Sequence, residues 1–498
     1  MKLEGFIIDG TGKPGFYGEV VVEGDKIAEV IPHATSPSTS PSTSTSTSTL
    51  ITPGFIDAHA HSDAYLVLEP SAPSKTTQGI TTEINGQCGG SIAPRYGEAR
   101  LSSDWKTLLG DRLTWHTLAE YRKVLDEAKP ALNTVEFIGH NTLRSSVIGY
   151  ADERATPETL KRMIYLLEEA LEQGGWGLST GLVYPPGRYA ASEEVEALAA
   201  VAAKRGGLYA THMRSEGDDI FAALDEVLTL CRKTGIRAEI SHLKTSGEKN
   251  WDKIDSVLER MESAMAEGCF LGSDRYPYCA AGTDLDIVFE KDGGSLFDGD
   301  WSKVMIGGTW HPDNKKYSGR IVSEIVSETG GRRWNADPTE FVREILQKDG
   351  NKTGAFFFTM SEENLKKIYS QDWIVPGSDA SLRAPWGPLG EDFPHPRAYA
   401  TMPEFYRRVR ALGFSREATI ARMTSVPARR FGLKGRGVIE NGAFADIVVF
   451  DEKNFKATAA YDKPHSFTTG VEQVIVNGVV TYERGAFTGE RGGRFLEK

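Results

Sequence analysis

The sequence predicts an α/β protein built as a (β/α)8 barrel, with a small β-sandwich domain formed from both chain ends and an insertion near the barrel mouth. Three observations carry that expectation. Strand-length apolar runs alternate with helix-period segments from Pro53 onward. Both ends hold short β-branched runs broken by turn residues. Between residues 286 and 352 the alternation lapses into a stretch rich in Gly, Asp and Lys that still carries Trp301, Trp310 and Trp334. An aromatic-bearing interruption reads as a folded cover over the barrel mouth.

In order, the chain opens with Phe6-Ile7-Ile8, Glu19–Val22 and Ile27–Ile31, separated by Asp9-Gly10 and Glu23-Gly24-Asp25, the pattern of antiparallel hairpins. Residues 35–49 are only Ser, Thr and Pro, cannot bury apolar surface, and predict a flexible loop. Thr156-Pro157 is a helix start, and Leu160, Met163, Ile164, Leu167 and Leu171 keep helical spacing until Gly174-Gly175. The predicted strands Trp176–Leu178, Gly207–Ala210, Ile236–Ile240 and Cys269–Gly272 then alternate with predicted helices Ser192–Lys204, Asp219–Cys231 and Ile254–Ala266. Alternation is expected to resume at Phe356-Phe357-Phe358, followed by a helix over Glu362–Tyr369 and a strand over Trp373–Pro376. Helices over Pro403–Leu412 and Arg416–Met423 would complete the barrel. After Gly435 the chain turns β-like again, with Asn477-Gly478 as a hairpin turn between Val471–Val476 and Val479–Tyr482. Residues 1–52 and 437–498 are therefore expected to form one β domain, and 53–436 the barrel.

Composition narrows the function. The 498 residues are 40% hydrophobic and 25% charged, with a net charge of −12, an ordinary globular balance that argues against a nucleic-acid surface. No run of about 18 apolar residues predicts a membrane span. Four cysteines in a chain this long make no disulfide framework, so a cytoplasmic location is expected.

The chemistry gathers at predicted strand ends. In I-T-P-G-F-I-D-A-H-A-H, His59 and His61 are two residues apart and share one face of a strand. Cys88 follows the apolar run Ile80–Ile84, His212 follows Tyr209-Ala210, His242 follows Ile240, and Asp379 follows Ile374-Val375. The C-terminal ends of barrel strands are where βα loops converge. A thiolate, four imidazoles and a carboxylate meeting there suit Zn²⁺.

With these residues the chain resembles the amidohydrolase superfamily, through P-G-F-I-D-x-H-x-H. More narrowly it resembles the N-acyl-D-amino-acid deacylases, through G-Q-C-G-G-S, G-L-V-Y-P-P-G, A-T-H-M-R-S-E, I-S-H-L-K, Y-P-Y, P-G-S-D and H-P-R-A-Y, in order along nearly the whole chain. The resemblance implies zinc-dependent hydrolysis of N-acyl-D-amino acids to a carboxylate and a free D-amino acid. It implies that Cys88, His212 and His242 hold a tight zinc, and that His59 and His61, with Asp379 beside them, form a second, weaker position. Asp379 would be general base and then acid. Lys244, Tyr276 and Arg397 would bind the substrate carboxylate, and Tyr184 would touch the scissile amide. Arg275 and the insertion are candidates for setting side-chain preference. The expected partner is a small molecule.

Two rivals stand beside this reading. One is cyclic-amide hydrolysis, as in hydantoinases and dihydroorotases; those relatives use a carbamylated lysine on a middle strand, and residues 175–181 hold no lysine. The other is a barrel kept as a non-catalytic scaffold, which the full set of ligand-type residues disfavours.

Overall fold

The structure, a computed structural model, describes residues 1–33, 48–99, 106, 108–289, 296–328 and 333–498. Its centre is parallel. Strands Phe55–Asp57, Ile80–Asn85 and Asn133–Glu136 form one sheet. Ile138–Gly139, Gly177–Gly181, Leu208–His212, Arg237–Ile240, Leu271–Arg275 and Ile374–Pro376 form a second. Only Phe137 separates the sheets at one seam. At the other, Ala58 N–H donates to Pro376 O at 3.1 Å and Asp379 N–H donates to His59 O at 2.8 Å. The segment carrying Asp379 therefore lies beside the one carrying His59 and His61. These strands are almost wholly buried, as expected where helices cover a parallel sheet.

The expected helices Ser192–Lys204, Ile254–Ala266, Glu362–Tyr369 and Arg416–Met423 occupy the predicted spans. Strands sit later than predicted: Gly177–Gly181 rather than Trp176–Leu178, Leu208–His212 rather than Gly207–Ala210, and Leu271–Arg275 rather than Cys269–Gly272. Their last residues are polar or glycine, so the apolar run stops before the pairing does. The helix expected over Pro403–Leu412 begins at Arg397, with a non-helical Ala400 ahead of its internal Pro403. Helix Pro157–Glu172 starts in a capping box, Thr156 accepting from Thr159 N–H. Thr156→Ala is expected to cost about 1 kcal/mol of stability, read as a lowered urea midpoint with unchanged m.

Strands from both ends share one eight-stranded sheet. Its order is Ala486–Phe487, Val479–Glu483, Val471–Val476, Ile447–Asp451, Thr49–Pro53, Lys2–Ile7, Phe16–Glu23, Lys26–Pro32. Ile7, Val20 and Ile27 of one half meet Ile447 and Ile475 of the other in a common apolar cluster. The Asn477-Gly478 turn has positive φ at both residues, as its hairpin type requires. Of the Ser/Thr/Pro tract expected as a flexible loop over 35–49, residues 35–47 lie outside the described residues. Thr49 is not loop: it opens strand Thr49–Pro53, where pairing with Asp451 gives its backbone partners.

Phe356-Phe357-Phe358 does not resume the parallel alternation. Strand Gly354–Phe357 pairs antiparallel with Ala281–Asp284 on one side and Val304–Ile306 on the other. The interruption thus runs from about Ala281 to Phe357, wider than 286–352. An apolar run announces burial but not the direction of its partner strand. This unit has its own core, including Leu285, Ile306, Phe341 and Phe357.

Candidate metal centre and active-site cavity

The strand ends bring the predicted ligands together. His59, His61, Cys88 and Asp379 form one group whose ligand atoms lie within 4.8 Å of one another, and Cys88, His212 and His242 form a second. Cys88 is common to both. Its Sγ lies 3.3 Å from His59 Nε2, 3.4 Å from His242 Nε2 and 3.9 Å from His212 Nδ1. Asp379 Oδ1 lies 3.1 Å from His61 Nε2 and 3.5 Å from His59 Nε2.

Each of three imidazoles presents one nitrogen to Cys88 and turns the other toward a carboxylate. His59 Nδ1 meets Asp274 Oδ2 at 3.2 Å, His242 Nδ1 meets Glu216 Oε1 at 3.0 Å, and His212 Nε2 lies 3.4 Å from Glu216 Oε2. That outer layer fixes ring orientation and raises ligand basicity, as around metal-binding histidines generally. Asp274 and Glu216 escaped the sequence reading. Glu216 stood within A-T-H-M-R-S-E, four residues past His212, and Asp274 occupied the end of another parallel strand, the same position that singled out the ligands.

Local backbone aims these side chains. Cys88, His242 and Asp379 have φ of 53°, 37° and 50°, three of the ten non-glycine residues with positive φ among the described residues. Such strain gathers where function over-determines geometry. Gly377 is required by closeness: a Cβ there would stand 2.6 Å from Asp274 Oδ1 and 2.7 Å from His59 Cβ.

Electrostatics follow from this packing. Burial opposes ionisation of Cys88, but His59 and His242 outweigh it and hold the thiol well below its ordinary range. Burial likewise opposes ionisation of Asp379, and Arg397 and His242 overcome it, keeping the carboxyl far below the usual value. A thiolate among imidazoles, each braced by a carboxylate, fits a zinc ion.

Arg397 Nη1 donates to Asp379 Oδ2 at 2.8 Å. Lys244 is buried, its Nζ 2.5 Å from Glu216 Oε1 and 2.8 Å from His242 Nδ1. Tyr276 is fully buried, its ring 4.5 Å from the Arg397 guanidinium and 3.9 Å from that of Arg275. Tyr184 packs edge-on against His212 at 5.0 Å. A cavity of about 560 Å³ opens beside His61 and Asp379, and its lining also includes Arg397, Trp310, Phe356 and Leu389. The interruption thus supplies part of its wall. Lys244, Tyr276, Tyr184 and Arg275 do not line it and lie behind the lining residues; Arg275 is buried with Nη2 donating to Tyr278 O at 2.9 Å.

The comparisons bear on this geometry. The model of the Amidohydrolase family matches residues 49–268 and 337–482. The chain belongs to the amidohydrolase family. Within it, the chain is 34% identical to a D-aminoacylase of Alcaligenes xylosoxydans xylosoxydans, covering 99% of this chain and 96% of the relative. It is 33% identical to an N-acyl-D-glutamate deacylase of the same organism, covering 99% and 95%. Among solved structures it matches the N-acyl-D-glutamate deacylase of Bordetella bronchiseptica, complexed with zinc and a phosphonate inhibitor that mimics the tetrahedral intermediate. The TM-score is 0.85 at 32% identity, covering 99% and 98% of the two chains. The fold is therefore an amidohydrolase fold.

Proposed function

We propose that this chain is a zinc-dependent N-acyl-D-amino-acid deacylase. The observation that carries the proposal is Cys88 shared between two ligand groups, with Asp379 beside the imidazoles and Arg397 lining an open cavity. Cys88, His212 and His242 would hold a tight ion, and His59, His61 and Asp379 with Cys88 a second, weaker one. The chemistry such an ion supplies is Lewis acidity toward a water and an amide carbonyl. Asp379, held as a carboxylate, takes a proton from the attacking water and returns it to the departing amine. Arg397 offers a fork, Lys244 a point charge and Tyr276 a hydroxyl to the substrate carboxylate, with Tyr184 beside the scissile amide. Lys244 already faces Glu216, so its share depends on how that pair rearranges around the ligand.

The architecture supports the same reading. The two parallel sheets, meeting at both seams, are read as one (β/α)8 barrel over 53–436, and the terminal segments 1–52 and 437–498 as one β domain. Among the described residues no helix is long and apolar enough to cross a membrane. The four cysteines form no disulfide, which suits the cytoplasmic location proposed here.

The deciding experiment is a panel of N-acetyl amino acids of both configurations beside a cyclic amide, with elemental analysis of the same sample. Turnover of D-forms with bound zinc supports the reading, and turnover confined to cyclic amides replaces it. Arg397→Ala is expected to raise KM roughly 10–100-fold for a carboxylate-bearing substrate and far less for its neutral amide analogue, the value of one charge-assisted contact. Equal effects on both would remove Arg397 from carboxylate binding.

A further inference from the structure

Lys75 has no exposed surface, lies on the short helix Pro73–Thr76, and plays no part in the chemistry above. An ammonium stripped of water must be compensated by charge and hydrogen bonds. Four oxygens surround its Nζ: Asp57 Oδ2, Glu83 Oε1 and Ser378 Oγ, each at 2.8 Å, and Ala380 O at 2.9 Å. Asp57 and Glu83 already supply more than the one negative charge needed to balance it. The other two oxygens are uncharged and belong to the residues on either side of Asp379. Asp57 closes the ring from its second oxygen, which accepts Ser378 N–H at 2.8 Å. Ala380 O also accepts His61 N–H at 3.3 Å. The segment Ser378–Ala380 is therefore anchored at both flanks to one buried cation, and through it to Asp57, the last residue of the strand Phe55–Asp57 that leads into His59 and His61. The residue between the anchors is the one whose backbone sits at φ 50°.

We propose that Lys75 is a positioning residue for Asp379: its ammonium grips both neighbours of the carboxylate and fixes where that carboxylate stands relative to the imidazoles. The proposal rests on the deacylase reading for the identity of Asp379 as proton carrier. A grip of this kind leaves substrate binding alone and governs proton transfer, because a displacement of about 1 Å can cost on the order of 10²-fold in rate.

The test uses the metal-loaded enzyme and two variants. Lys75→Met removes the grip whole but leaves Asp57 and Glu83 buried together, which endangers folding. Ser378→Ala removes one handle and leaves the charges in place, so it decides the matter if Lys75→Met does not fold. Each is assayed on an N-acetyl-D-amino acid and on the matching thioester, whose thiolate leaves without a proton. The expected result is unchanged KM and unchanged occupancy of the tight Cys88–His212–His242 position, with kcat on the amide lowered on the order of 10-fold in Ser378→Ala and 10²-fold in Lys75→Met, and smaller losses on the thioester. Wild-type kcat in a folded, loaded variant, or a loss carried by KM or by metal content instead of kcat, would overturn the proposal. A wild-type enzyme inactive on every N-acyl-D-amino acid sinks the deacylase reading itself, whereas an active wild type with indifferent variants sinks only the role of Lys75.

Discussion

Asp379→Asn is expected to keep its metal and to lose about 10²–10⁴-fold in kcat, the usual contribution of a positioned acid–base group. The amide is nearly isosteric with the carboxylate and still accepts from Arg397 through its oxygen. It can also occupy the same backbone, since Asn tolerates the left-handed region as Asp does. What it cannot do is take a proton from water at neutral pH. The structure gives the carboxylate its ionised state: Arg397 at 2.8 Å and the nearby imidazoles outweigh the cost of burial. Steady-state kinetics beside elemental analysis separates the outcomes. Near-normal turnover would take Asp379 out of the proton path. Loss of turnover together with loss of all metal would make it a ligand first.

Cys88→Ala is expected to strip the centre. The thiolate is the one group shared by both ligand sets, and no other side chain in either is soft. Removing an outer partner of a metal ligand already costs roughly 10–100-fold in affinity, so deleting the shared ligand itself should cost more and carry activity down with it. Alanine carries the same Cβ through the same φ, so the backbone change is small. Zinc stoichiometry after dialysis reads the result. Full occupancy in the variant would discard the thiolate as a ligand.

The ligands were legible because strand ends are legible. His59 and His61 advertise a shared face by their spacing, and His212, His242 and Asp379 each close an apolar run. Asp274 closes such a run too, but nothing in its local sequence says that it would face His59 across the strands. Lys75 was harder still, because a lysine after Pro73-Ser74 reads as solvated. Its burial depends on Asp57, Glu83 and Ser378, which come from three separate segments. The same limit explains Gly354–Phe357, whose composition declares burial while its partners decide direction. The hairpin at Asn477-Gly478 and the cap at Thr156 were readable because each is settled by residues within a few positions.

The left-handed backbone at Cys88, His242 and Asp379 has a consequence for which replacements the centre can accept. Such a conformation persists only where the surrounding protein over-determines it, at a cost of about 1–3 kcal/mol per residue. A β-branched residue fits it far worse than cysteine, asparagine or aspartate. Cys88→Val or Asp379→Val would therefore move the backbone of the neighbouring donors as well as delete one.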